Sequence, residues 1–179
     1  GIYQTFEAEA QALGLEIVSV TTFTNDTTDF SVQVTSAKEA GADLVFLPMY
    51  YTPASMILKT ADSMGYKPVF FGVDGMDGIL NIEGFDTSLA EGVMVLTPFA
   101  GDSANELAKT FIANYEAAYG ATPDQFAADA YDAMYTLYAA TKAAGVTADT
   151  STEDACEMLV AAMKDLKING VTGMAGEMT

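Results

Sequence analysis

Residues 40–53 read Ala40-Gly41-Ala42-Asp43-Leu44-Val45-Phe46-Leu47-Pro48-Met49-Tyr50-Tyr51-Thr52-Pro53. Ala42 to Leu47 is apolar nearly throughout and is short, which suits a strand covered on both faces. Gly41 stops a helix before it. Thr52-Pro53 starts one after it, a capping residue followed by proline at the first helical position. A strand set between two helices belongs to a parallel sheet, where crossovers carry the chain from one strand to the next.

The same alternation extends outward in both directions. Upstream, Asp29 can cap a helix over Phe30 to Ala40, after a polar loop at Thr24 to Thr28. Ile17 to Phe23, Ile-Val-Ser-Val-Thr-Thr-Phe, is β-branched and reads as the first strand. Before it, Tyr3, Phe6, Ala10 and Leu13 have helical spacing, ended by Gly14. Downstream, the helix opened at Thr52-Pro53 runs to Met64 and stops at Gly65. Pro68 to Phe71 is the third strand, Gly72-Val73-Asp74-Gly75-Met76-Asp77-Gly78 a Gly-rich loop, and Val93 to Leu96 the fourth strand. Residues 15–97 therefore read as an α/β, Rossmann-like unit with a parallel sheet and helices on both faces.

From residue 99 the pattern turns helical. Asp102 or Ser103 opens a helix to Tyr119, closed by Gly120. Thr122-Pro123 opens a second, to about Ala144-Gly145, and Ser151 a third, with Asp154 completing a weak capping box. The tail from Gly170 to Thr179 reads as a strand cut short. Three helices with almost no sheet need something to pack on, so Thr97-Pro98-Phe99-Ala100 is the expected boundary.

Composition removes several function classes. The net charge is −18, with seven Lys and Arg among 179 residues. Phosphate backbones and anionic membrane surfaces are held by basic residues, so neither nucleic acid nor a membrane surface is an expected partner. No apolar run reaches the roughly 18–20 residues of a membrane span. The absence of His removes the commonest general base and most zinc sites. The single Cys156 has acidic neighbours, which make it a poor nucleophile, and is expected to be a small buried helix residue. Gly1-Ile2-Tyr3-Gln4 runs straight into a helical pattern, so the chain is expected to have been cut from something longer.

In open parallel sheets, ligands bind beyond the carboxyl ends of the strands. Here those ends are Thr22-Phe23-Thr24-Asn25, Pro48-Met49-Tyr50-Tyr51 and Gly72-Val73-Asp74-Gly75. A carboxylate pairs with an ammonium, and a Tyr face or hydroxyl covers it, so this edge suits a ligand with a cationic amine. The blander readings are tyrosines that pack and aspartates, Asp74 and Asp77, that form a turn. The loop lacks the alternating acids of a calcium site and the Gly-Lys-Ser/Thr of a phosphate loop. Asp74 and Asp77 as a glycosidase-like acid/base pair would stand alone, with no other catalytic signature. No metal, cofactor or catalytic residue is therefore expected.

The chain resembles the branched-chain (Leu/Ile/Val-type) amino-acid-binding proteins of ABC transporters, type I periplasmic binding proteins. The matching segments include Thr28-Asp29-Phe30-Ser31, Ala40 to Phe46, Tyr50-Tyr51, Gly65-Tyr66-Lys67 and Phe71-Gly72-Val73-Asp74-Gly75. Ala90-Glu91-Gly92-Val93, Thr97-Pro98-Phe99, Phe111 through Gly120, Pro123, Ala130-Tyr131-Asp132-Ala133 and Gly170-Val171-Thr172-Gly173 follow in family order. No single piece is specific; their order and spacing over nearly the whole chain are.

The resemblance implies two α/β lobes joined by three crossings, with the solute between them. Residues 1–97 would be most of the second lobe, 98–100 a hinge crossing built on Thr97, Pro98 and Phe99, 101–171 a helical segment of the first lobe, and 172–179 a second crossing and a truncated strand. Tyr50 would lie against the ligand and Asp74 would pair with its α-ammonium, with Tyr51 and Gly75 as weaker contacts. Some relatives have Glu at the acidic position, so the shorter Asp74 alters the pose. The first-lobe Ser/Thr site for the ligand carboxylate would lie outside this chain, which by itself would bind weakly. The implied function is capture of an aliphatic amino acid by cleft closure, with delivery to the membrane permease of an ABC transporter. The implied location is extracytoplasmic: the periplasm, or the surface of a Gram-positive cell as a lipoprotein. The same fold also serves amide, urea or sugar receptors and ligand-sensing domains of signalling proteins.

Overall fold

The computed structural model describes residues 1–172 and the backbone of 177 and 178. The chain divides into two compact units, Gly1–Thr97 and Pro98–Thr179.

In the first unit α1 spans Ile2–Ala12, α2 Ser31–Glu39, β1 Leu44–Leu47, α3 Tyr51–Ser63, β2 Val69–Gly72 and β3 Met94–Val95. The strands pair in parallel in the order β1-β2-β3, with Leu44 opposite Val69 and Phe71 opposite Met94. Alternation along the strands sorts the two faces. Val45, Leu47 and Phe70 pack with Phe30 and Val34 around α2 and with Ala54, Ile57, Leu58 and Ala61 of α3. Phe46, paired with Phe71 in the ladder, points the other way and stacks on Phe6 of α1, ring centroids 4.0 Å apart. Helices thus cover both faces, as expected for α/β.

One expected strand does not form. Ile17 to Phe23 joins no ladder. Its polar groups turn to α2 instead: Ser19 Oγ lies 2.9 Å from Ser36 Oγ, and Gln33 Nε2 donates to the Thr22 carbonyl at 3.1 Å. β-branched composition fits a pleated surface, but membership of a sheet needs a partner in register.

The expected helix starts shift by a few residues. α3 begins at Tyr51 rather than Pro53, and Pro53 falls in the first turn, where no N–H is needed. α2 starts at Ser31, not Phe30, and Phe30 rather than Asp29 is its N-cap; Asp29, one residue earlier, still accepts the Ser31 N–H on Oδ1 at 2.9 Å.

The second unit holds α4 (Glu106–Tyr119), α5 (Gln125–Ala144), α6 (Thr152–Met163) and a short antiparallel pair, β4 (Ile168–Asn169) and β5 (Glu177–Met178). α4 opens at Asn105, not at Asp102 or Ser103; Asn105 Oδ1 accepts the N–H groups of Leu107 and Ala108. α5 opens at Asp124, not Thr122: Asp124 Oδ1 accepts the Ala127 N–H at 2.9 Å, while the Thr122 hydroxyl donates to Glu116 at 2.9 Å. Ser151 caps α6 as expected and also donates to Asp154 Oδ2 at 2.7 Å. Gly120 and Gly145 stop their helices at φ 69° each, a left-handed turn that other residues adopt at a cost.

Phe99, Ala108, Phe111, Ala128 and Val171 form this unit's core. Cys156 is exposed, contrary to expectation. The inward stripe of α6 is Ala155, Met158, Leu159 and Ala162, and Cys156 stands one position off it. Of the expected terminal strand the described residues show β5, and Gly173 to Ala175 of the expected second crossing lie outside the described residues.

Candidate functional site

β1 and β2 run side by side, so the loops at their carboxyl ends are neighbours. The loop after β2 makes a single 3-10 turn over Asp74–Met76, with Met76 N–H bonded to the Val73 carbonyl at 2.9 Å and Asp77 N–H to the Asp74 carbonyl at 3.0 Å. Two close approaches seat this turn. Met76 is fully buried and packs directly under Gly72, where a Cβ would collide with its Sδ and lie 3.0 Å from its Cγ. Gly75 is buried against the loop after β1: a Cβ there would lie 2.9 Å from the Met49 carbonyl oxygen and 3.3 Å from Tyr50 Cδ1. The Gly72 carbonyl accepts the Leu96 N–H at 3.1 Å, which ties the end of β3 to the same point.

The turn treats its two aspartates differently. Asp77 Oδ1 accepts the Gly78 N–H at 2.9 Å, with Gly78 at φ 85°, so Asp77 is a turn former. Asp74 is exposed, and among the described residues its carboxylate has neither a hydrogen-bond donor nor a cation. Tyr50, the N-cap of α3, has 67% of its surface exposed, high for an aromatic ring, and its ring lies against Gly75, the residue after Asp74. Tyr51 is half-buried against the unit's core. The end of the unformed first strand turns away: Phe23 packs edge-on to Phe30 at 5.3 Å, and Thr24 closes a turn with Thr27.

Of the residues read from the sequence, Tyr50, Asp74 and Gly75 thus come together at one sheet edge. Thr97 and Pro98 flank the unit boundary, and Phe99 is buried in the second core, its ring 5.9 Å from that of Phe111. Sequence reading missed the supporting pair, Gly72 and Met76. Their four-residue separation in a Gly-rich loop was the available signal: a large apolar residue beside a position without a side chain.

The described residues hold no cluster of three or more acids and thiols placed to bind a metal ion. No described helix is long and apolar enough to cross a membrane.

Residues 1–178 match the family model described as periplasmic binding protein. A Leu/Ile/Val-binding protein homolog from Brucella abortus is 30% identical over 122 residues, 65% of this chain and 30% of that protein. A leucine-binding protein from Thermotoga maritima superposes with a TM-score of 0.82 at 25% identity, covering 97% of this chain and 48% of its own. A branched-chain amino acid transporter substrate-binding protein from Streptococcus pneumoniae, solved with isoleucine, gives 0.75 at 27% identity, over 93% of this chain and 47% of its own. The chain therefore spans about half the length of these solved structures and, over the matched stretch, less of the curated relative.

Proposed function

The chain belongs to the periplasmic binding protein family, and on that premise we propose that it captures an aliphatic amino acid for uptake through an ABC transporter. The family is one of binding proteins rather than enzymes. The observation that carries the amino-acid reading is the unpartnered, exposed Asp74 carboxylate in the turn whose Gly75 abuts the exposed ring of Tyr50, at the carboxyl edge of a parallel sheet. An α-ammonium supplies the missing charge-assisted partner, and the tyrosine covers it. The relatives named for leucine and isoleucine point to the same class.

In this reading residues 1–97 are most of the second lobe, with Tyr50 and Asp74 as the main contacts. Tyr51 is a secondary contact, and Gly75 bounds the pocket with its backbone. Thr97, Pro98 and Phe99 form a hinge crossing, residues 101–171 belong to the first lobe, and 172–179 supply a second crossing. Solute bound on one lobe bridges to the other and shifts the open–closed equilibrium. The closed form presents a surface to a membrane permease, outside the cytoplasm.

A thermal-shift screen of the full-length protein against the standard amino acids, small amides, sugars and carboxylates lacking an amine tests the reading. Ligand at about a hundredfold over its dissociation constant stabilises by about 2.7 kcal/mol. Shifts with leucine, isoleucine or valine, and a loss of about 2–5 kcal/mol of binding in Asp74→Ala, are expected. Shifts with amides or sugars alone would keep the family and remove the ammonium role of Asp74.

A further inference from the structure

We propose that Met76 and Gly75 are positioning residues for ligand binding: they hold the Val73-Asp74-Gly75 turn against the end of β1 and so set the distance from Asp74 to Tyr50. This rests on the reading of Asp74 as the ammonium partner. Met76 need not touch the solute, since it is fully buried, and Gly75 faces the pocket only through its backbone, its place for a Cβ being turned to Met49 and Tyr50. The turn itself is short and held by two backbone bonds, those of Met76 and Asp77. A single 3-10 turn is a weak support, because its hydrogen bonds are poorly aligned. Its placement must come from tertiary contacts, and two are present.

The first contact is Met76 seated in the space that Gly72 leaves open. A side chain at residue 72 would displace Met76, and Met76 carries the backbone two residues after Asp74. The second is the approach of Gly75 to the Met49 carbonyl, one residue before Tyr50. A methyl group at 75 meets backbone there, which yields less than a side chain would. Gly75 is not among the positive-φ glycines, so the missing Cβ, and not an unusual backbone angle, is what this position requires. A charged partner held about 1 Å out of place binds measurably worse even when every contact residue is present.

The test compares the affinity of the full-length protein for leucine with that for 4-methylpentanoate, the same molecule without its amine. Calorimetry on the wild type, Asp74→Ala, Met76→Ala, Met76→Leu, Gly75→Ala and Leu58→Ala gives six ratios. The wild type prefers leucine, and Asp74→Ala abolishes the preference. Met76→Ala and Gly75→Ala are expected to cut the ratio by about tenfold or more. Met76→Leu, which refills the space, restores it to within about threefold of wild type. Leu58→Ala removes a buried side chain from the same core and lowers stability with the ratio unchanged.

A wild type without preference, or an Asp74→Ala that keeps it, overturns the ammonium reading and the positioning role with it. An Asp74→Ala that loses the preference beside Met76→Ala and Gly75→Ala that both keep it overturns the positioning role alone. Should Met76→Ala fail to fold, Gly75→Ala decides. A Leu58→Ala that loses the ratio as strongly would reduce the effect to general stability and overturn the proposal.

Discussion

The carboxylate of Asp132 accepts the backbone N–H of Val171 on both of its oxygens, at 2.8 and 3.0 Å, across 39 residues of chain. Its Oδ2 also accepts the N–H of Thr172 at 2.9 Å and the Thr172 hydroxyl at 2.7 Å. Asp132 is 3% exposed, and no cation pairs with it among the described residues. Its charge is balanced by peptide and hydroxyl dipoles, an arrangement that pins residues 171 and 172 to the middle of α5. Asp132→Ala strands the buried N–H of Val171 and the part-buried N–H of Thr172 and is expected to cost about 2–4 kcal/mol. Asp132→Asn turns an amide N–H toward one of the same donors and is expected to cost nearly as much. Urea midpoints for the two variants check this, and a loss below about 0.5 kcal/mol for both would remove the hub.

Tyr66 donates its hydroxyl to the Ala42 carbonyl at 2.6 Å, joining the loop before β2 to the loop before β1. Burial, and then the charge of Asp43, push its phenol above the ordinary value. A pKa raised on folding contributes stability that is complete below the unfolded value near 10 and is lost as pH rises through the folded one. Ultraviolet titration should therefore show late-titrating phenols whose number falls by one in Tyr66→Phe, which also costs about 1 kcal/mol at neutral pH from the lost bond. A late limb of undiminished amplitude would leave it to Tyr131, raised by burial and by its hydrogen bond with Tyr135, and to Tyr3, raised by its hydrogen bond to Glu7.

Asn105 offers a sharper test of where α4 begins. Its Oδ1 serves two N–H groups, at 2.8 and 3.3 Å, whereas Asp102 is exposed four residues before the helix starts. Asn105→Ala is expected to cost about 1 kcal/mol. Asp102→Ala is expected to stay within about 0.5 kcal/mol of wild type, as surface changes do. Thermal midpoints with the opposite ranking would place the cap where the residue types alone suggested.

The β1-α3-β2 arrangement was legible because its signals are local: a short apolar run, a glycine stop, a proline start. Tyr50 and Asp74 were legible for a related reason, since the rule about carboxyl ends needs only the strand positions. The true caps were not, because Ser103, Asn105, Thr122 and Asp124 are all competent acceptors in sequence, and only the backbone path shows which of them faces the first free N–H groups of its helix. The exposure of Cys156 was hidden by a smaller effect. An apolar stripe through Ala155, Met158 and Leu159 differs from one through Cys156 by a single residue of rotation, and α6 is apolar enough to support either. The seat of Met76 under Gly72 depends on a turn closing back on its own strand, which composition does not encode.

Residues 17–23 give the last expectation a direct readout. Their sequence asks for a strand, but Thr22 spends its carbonyl on Gln33, and Val18 and Val20 are 43% and 55% exposed. Amides that lie outside a ladder and near solvent open at low free energy. Hydrogen exchange followed by NMR should therefore show Val18 to Thr22 exchanging much faster than Phe46 and Phe71, which lie in the β1–β2 ladder. Gln33→Ala frees the Thr22 carbonyl without touching the sheet, and leaves that contrast in place if the segment has no register to fall into. Protection at Val18 and Val20 equal to that of Phe46 would mean that the segment pairs with β1 after all, extending the sheet by the strand its composition requests.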